Sequence, residues 1–78
     1  MAEFSFIRYY KVYTLTSGYT ECYDKELTSY INNNFVSSFN ESSSGMESSI
    51  KMADGTVYYF HKSLADLMSE FGKIQYTV

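Results

Sequence analysis

The sequence predicts a small α+β domain of order ββα-ββα-β, an antiparallel sheet with two helices packed on one face. Three observations point there. Runs of aromatic and β-branched residues free of Gly and Pro read as strands. Two stretches carry apolar residues at helical spacing. Asp54-Gly55 sits between two strand-like runs, Met46 to Ala53 and Thr56 to Phe60, a strong hairpin signal. A chain of 78 residues suits one domain, spanning residues 1–78.

Phe4 to Leu15 is the expected first strand. Both of its alternating faces are apolar: Phe4, Phe6, Tyr10 and Val12 on one, Ile7, Tyr9, Tyr13 and Leu15 on the other. A bulge near Arg8 that switches faces is therefore expected. Thr16-Ser17-Gly18 makes a turn, and Tyr19 to Tyr23 returns as the second strand. Asp24 is placed to cap a helix, because its carboxylate can accept free amides of a first helical turn. Leu27, Tyr30, Ile31, Phe35 and Phe39 then form one helical stripe. The opposite face is Thr28, Ser29, Asn32, Asn33 and Ser37. Helix propensity there is poor, so packing must hold this helix.

Asn40 to Gly45 is a Ser-rich connector. A two-residue loop at Asp54-Gly55 would set Met52 opposite Val57 and Ile50 opposite Tyr59, with Lys51 opposite Tyr58 on the other face. Ser63 and Asp66 approximate a capping box for a helix whose stripe is Leu64, Leu67, Met68 and Phe71, closed by Gly72. Ile74, Tyr76 and Val78 alternate with Lys73, Gln75 and Thr77 as a terminal strand. The expected core is Leu27, Ile31, Phe35, Leu64, Leu67, Met68 and Phe71. The two ββα units align at an offset of 37 residues, with Gly18 on Gly55, Tyr23 on Phe60, Lys25 on Lys62, Leu27 on Leu64 and Ile31 on Met68. Any hairpin followed by an amphipathic helix gives such a pattern, so it does not establish duplication.

Composition narrows the function. Net charge is −3 with only 6 Lys+Arg, too little for a DNA-mimic surface and the wrong sign for a general nucleic-acid binder. Cys22 and His61 are the only residues of their kinds, so neither a disulfide nor a zinc set can form within the chain, and no metal or cofactor is expected. No apolar run approaches the ~20 residues of a membrane span. Glu3 stands where a signal peptide wants a base, which suggests a cytoplasmic protein, and a start at Met1 with no tag suggests a complete small reading frame. Asn40-Glu41-Ser42 matches a glycosylation sequon, read here as chance.

Enzymatic chemistry finds no assembled set. His61 would need a nucleophile and an orienting partner, and Cys22 is not brought to it by any spacing. Carboxylates stand singly, and no Gly-rich phosphate loop is present. The chain is expected not to be an enzyme. Nine Tyr are more than a core this small can hold with every hydroxyl satisfied, so several should reach the surface. Arg8-Tyr9-Tyr10-Lys11-Val12-Tyr13 interleaves basic and aromatic residues on a strand. By alternation Tyr9, Lys11 and Tyr13 share the open face, Lys51 and Tyr58 extend it, and Arg8 joins if the bulge turns it there. These six are the expected binding residues. Rigid amphipathic tyrosines among Ser and Asn have the composition of protein-binding surfaces.

In type, though by no motif, the chain resembles the short accessory proteins of phages and mobile elements, which bind and block host machines, CRISPR effectors among them. The resemblance rests on small size, acidity, aromatic content and the lack of Pro, and it transfers no residue. It implies a non-enzymatic protein-binding inhibitor or adaptor, anti-CRISPR-like, that acts on a bacterial nucleic-acid-handling complex in the host cytoplasm. A homodimer through an open sheet edge is a further expectation. The alternative is a nucleic-acid-binding β-sheet module that uses the basic-aromatic first strand.

Overall fold

The computed structural model describes residues 2–72 and 75–77. Its strands are β1 (Glu3–Tyr13), β2 (Thr20–Asn32), β3 (Val36–Glu41), β4 (Ser48–Met52), β5 (Val57–Phe60) and β6 (Gln75–Thr77). A 3₁₀ turn, Asn33–Phe35, joins β2 to β3, and one helix, α1 (Leu64–Glu70), follows β5. All described pairings are antiparallel, in the order β2-β1-β5-β4-β3, with β6 also on β1.

The expected pair of helices on one face is overturned: the described residues contain a single short α-helix, and the first expected helix is strand, 3₁₀ turn and strand. The physical reason is β1. Its long edge offers a ladder of donors and acceptors, and β2 takes it from Phe4↔Asn32 to Tyr13↔Thr20. Helix propensity in this Ser/Asn-rich stretch is too poor to compete. Asp24 caps nothing; it lies in the excess of β2 residues between the Tyr9↔Leu27 and Lys11↔Cys22 pairs. Asn32 ends the strand, its side chain accepting from the Asn34 amide at 2.9 Å to start the 3₁₀ turn. The 37-residue alignment falls with the helix, since Lys25 to Ile31 is strand while Leu64 to Met68 is helix.

The second half follows its local signals more closely. The Ser63 hydroxyl accepts from the Asp66 amide at 3.2 Å and caps α1, and Glu41 of β3 accepts from the Leu64 amide at 2.8 Å. Gly72, just past the helix, has φ +84°. Ile74, Val78 and Lys73 of the expected last strand lie outside the described residues.

The β4–β5 register differs from expectation by one residue. The Gly55 amide donates to the Met52 carbonyl (3.0 Å) and the Met52 amide to the Thr56 carbonyl (2.7 Å), closing a three-residue loop, Ala53-Asp54-Gly55. Gly55 takes φ +93°, the left-handed residue of such loops. Lys51 therefore pairs with Val57 and Ile50 with Tyr58. One step of register moves every side chain to the other face.

The core is Ile7, Ile31, Ile50, Met52, Phe60 and Leu67, with Tyr9, Val36, Phe39, Tyr58, Leu64 and Phe71 packed against it. Of the expected core, Ile31 and Leu67 are buried and Leu64 and Phe71 pack beside it. Leu27, Phe35 and Met68 are exposed instead, Phe35 by 58%. The sheet's two ends are tied together near the 3₁₀ turn, where the Ala53 amide donates to the Phe35 carbonyl at 2.7 Å. The Ser5 hydroxyl, fully buried, donates to Asn33 Oδ1 at 2.7 Å and fixes the same corner. Among the described residues no helix is long and apolar enough to cross a membrane.

Candidate functional site

The face switch expected in β1 occurs, two residues later than Arg8. Ile7 and Tyr9 both face the core. After the irregularity between Tyr9 and Lys11, Val12 pairs with Tyr58 and shares its core-side face. Lys11 pairs with Tyr59, and Tyr13 with Val57, on the opposite, outer face. The extra β2 residues beside Tyr10 let β1 turn over there.

That switch divides the six expected binding residues. Tyr9 and Tyr58 meet edge to face with centroids 4.8 Å apart and pack on the core, so they do not belong to the open face. Strict alternation misplaced Tyr9 only because it carried Lys11 and Tyr13 with it. The two-residue loop misplaced Tyr58. Burial pushes the Tyr58 phenol above its ordinary pKa, as its core-side position requires. Lys11, Tyr13 and Lys51 do share the outer face: Lys51 pairs with Val57, and Val57 with Tyr13. Arg8 is exposed farther along β1, its guanidinium carbon 5.9 Å from the Phe6 ring centre.

The register brings onto the outer face residues that sequence reasoning missed. Lys11 Nζ lies 4.6 Å from the Tyr59 ring centre and 5.5 Å from that of Tyr10. His61 stacks on Tyr10, centroids 3.5 Å apart and planes 16° from parallel. The Tyr10 hydroxyl donates to Glu47, whose carboxylate also lies 3.7 Å from His61 Nδ1. Burial, then the bond to Glu47, pushes the Tyr10 phenol up to about 12. A phenol held neutral in this way is a hydrogen-bond donor, not a nucleophile. The signal that could have found the group was Gly55 read as the third loop residue. That loop sets Tyr59 opposite Ser49 and carries Glu47 and His61 to facing positions.

Farther along β1, Phe6 and Tyr30 meet edge to face at 5.4 Å, and Tyr30 meets Tyr76 at 6.4 Å. Tyr30 and Tyr76 are exposed by 50% and 61%. The outer face of β1 is thus flanked by aromatic groups at both ends, with Arg8 and Lys11 between them. Cys22 is exposed, and it pairs with Lys11 across the ladder rather than with His61. Among the described residues no three His, Cys, Asp or Glu gather as a metal ion would need. No protein-family model, curated protein or solved structure matches the chain.

Proposed function

We propose that the chain is a non-enzymatic protein-binding inhibitor or adaptor that docks through the outer face of β1. The observation that carries this reading is the makeup of that face. Its rings (Phe6, Tyr10, Tyr13, Tyr30, Tyr59 and Tyr76) are interleaved with Arg8, Lys11 and Lys51, and Glu47 stands among them. A nucleic-acid groove wants an uninterrupted run of cations, because affinity there comes from phosphate neutralisation. Here Lys11 lies over two tyrosine rings and Glu47 interrupts the cations, so the face is tyrosine-rich with a broken line of positive charge rather than a continuous basic stripe. Protein interfaces favour that composition. Size and composition make a bacterial nucleic-acid-handling complex the partner to test first, as for a phage or mobile-element anti-defence protein.

The test is affinity capture from bacterial lysate with the parent chain, Tyr13→Ala and Tyr59→Ala as parallel baits. A partner retained by the parent and weakened at least about tenfold by either variant, ~1.4 kcal/mol, supports the reading. Retention should hold between ~50 and 200 mM salt, since tyrosine burial responds weakly to ions. A captured nucleic acid whose retention collapses over that range would replace the proposal with the β-sheet nucleic-acid module.

A further inference from the structure

A cleft of about 580 Å³ opens at the end of the sheet, away from Lys11 and His61. One wall is the end of β2 and the 3₁₀ turn, with Tyr30, Ile31 and Phe35. The other is the β4–β5 hairpin, with Met52, Asp54 and Tyr58. Its size falls in the range of ligand sites, ~300–1,000 Å³. Among the described residues that line it three are aromatic, and the one charged residue is Asp54. Tyr30 and Phe35 are half or more exposed although the cleft would shelter them if filled.

The walls are tied, so the cleft does not have to be built on binding. The Ala53 amide donates to the Phe35 carbonyl at 2.7 Å and joins wall to wall. The Leu15 side chain lies against the hairpin tip, where a Cβ on Gly55 would stand 2.6 Å from Leu15 Cδ1. Asp54 Oδ1 accepts from the Thr56 amide at 2.9 Å. That backbone bond holds the carboxyl below its usual range, and so anionic at neutral pH.

Aromatic rings with a single carboxylate, and no cation among the described lining residues, select for positive charge. The rings present negative faces to a cation, and the carboxylate supplies its counter-charge. A guanidinium fits this lining better than an ammonium, because it is planar, weakly hydrated and stacks on rings. We infer that the cleft walled by Tyr30, Phe35, Tyr58 and Asp54 is a docking site for an arginine side chain presented by a partner polypeptide. The inference does not rest on the outer-face reading, although Tyr30 borders both surfaces.

The experiment is a titration of the isotope-labelled full chain, followed by amide and side-chain NMR shifts. The probe is N-acetyl-arginine methylamide, and its neutral isostere, N-acetyl-citrulline methylamide, is the control. Millimolar saturable binding is expected, with shifts centred on Phe35, Asp54, Thr56 and Tyr58 and at least about fivefold weaker binding of the citrulline probe. Asp54→Asn can keep the bond from the Thr56 amide while removing the charge, and should weaken arginine binding at least about fivefold. Phe35→Ala, at an exposed position, should weaken it about threefold or more with the fold intact. Equal binding of the two probes overturns the inference, because the cleft would then be an apolar groove. So do shifts spread over Glu21, Glu26 and Glu41 without saturation, or an Asp54→Asn chain that binds as the parent does.

Discussion

The β4–β5 hairpin with α1 and the long strand β2 are built on opposite terms. The hairpin and helix supply four of the six core residues among those described, Ile50, Met52, Phe60 and Leu67. Each of their boundaries is set by a local device: Gly55 in the left-handed region, the Ser63 cap, Gly72 past the helix. β2 spans Thr20–Asn32 and contributes only Ile31 to the buried core. It is a strand because β1 pairs with it, not because its own sequence demands one. The lesson is that a segment of weak preference takes the conformation of its neighbour's unpaired edge.

The largest effect that tests this contrast comes from the hairpin. Phe60 is 1% exposed, and Phe60→Ala should cost about 3–5 kcal/mol, a large part of the stability of a small domain. Denaturant unfolding followed by circular dichroism would measure it. A cost below about 1 kcal/mol would mean that the core is not centred on β5.

Gly55→Ala should come next, at about 1–2 kcal/mol. A Cβ at φ +93° is strained, and Leu15 would have to move aside. Leu15 is exposed and can give way, so the backbone conformation carries most of the cost. Gly55→Asn, which tolerates that conformation better, should recover part of it. Equal midpoints for the two variants would argue against the three-residue loop.

In β2 the corresponding truncation should be nearly silent. Leu27 is 38% exposed opposite Tyr9, and Leu27→Ala should cost less than about 1 kcal/mol. Had the segment been a packed helix with Leu27 in its stripe, the same change would cost about 2–5 kcal/mol. Hydrogen exchange sharpens the point, since amides of β5 should outlast those of Thr20 to Glu26 by orders of magnitude.

Legibility in the sequence follows the same division. The first strand, its turn at Gly18, the Asp54-Gly55 hairpin and the capped second helix were readable, because each rests on residues within a few positions of one another. The face switch in β1 was readable in kind, from two apolar faces on one strand, but not in place, because the extra residues that cause it belong to β2. The first helix was misread because Leu27, Tyr30, Ile31 and Phe35 recur at helical spacing by coincidence. Tyr30 and Ile31 instead point to opposite faces of a sheet. Of the six residues expected to bind, Lys11, Tyr13 and Lys51 share the outer face, while Tyr9 and Tyr58 pack on the core. The Tyr10, Tyr59, His61 and Glu47 group was hidden, because it depends on a hairpin register that one residue of loop length decides.

The smallest effect lies between the hairpin and the strand that holds β2 in place, at the bond from Tyr10 of β1 to Glu47 just before β4. At neutral pH Tyr10→Phe removes a half-exposed hydrogen bond and keeps the ring that stacks on His61, so it should cost only about 0.5–1 kcal/mol. Its signature is in alkali. The Tyr10 phenol is pushed up to about 12 from 10.0, so the folded state holds its proton where the unfolded chain has lost it. Stability from this group is therefore complete below pH ~10 and falls as pH rises toward ~12, because the unfolded state then binds fewer protons. The parent should lose stability over that window with a slope shallower than one full proton, since solvent reaches the pair. Tyr10→Phe should flatten part of that slope and leave the profile between pH 6 and 9 unchanged in shape. Tyr58 shares the direction of shift, through burial first and then the nearby Tyr9 and Asp54, so a residual slope is expected in the variant. Parallel alkaline profiles for parent and Tyr10→Phe would show that the Tyr10–Glu47 bond does not hold β1 to the hairpin in solution.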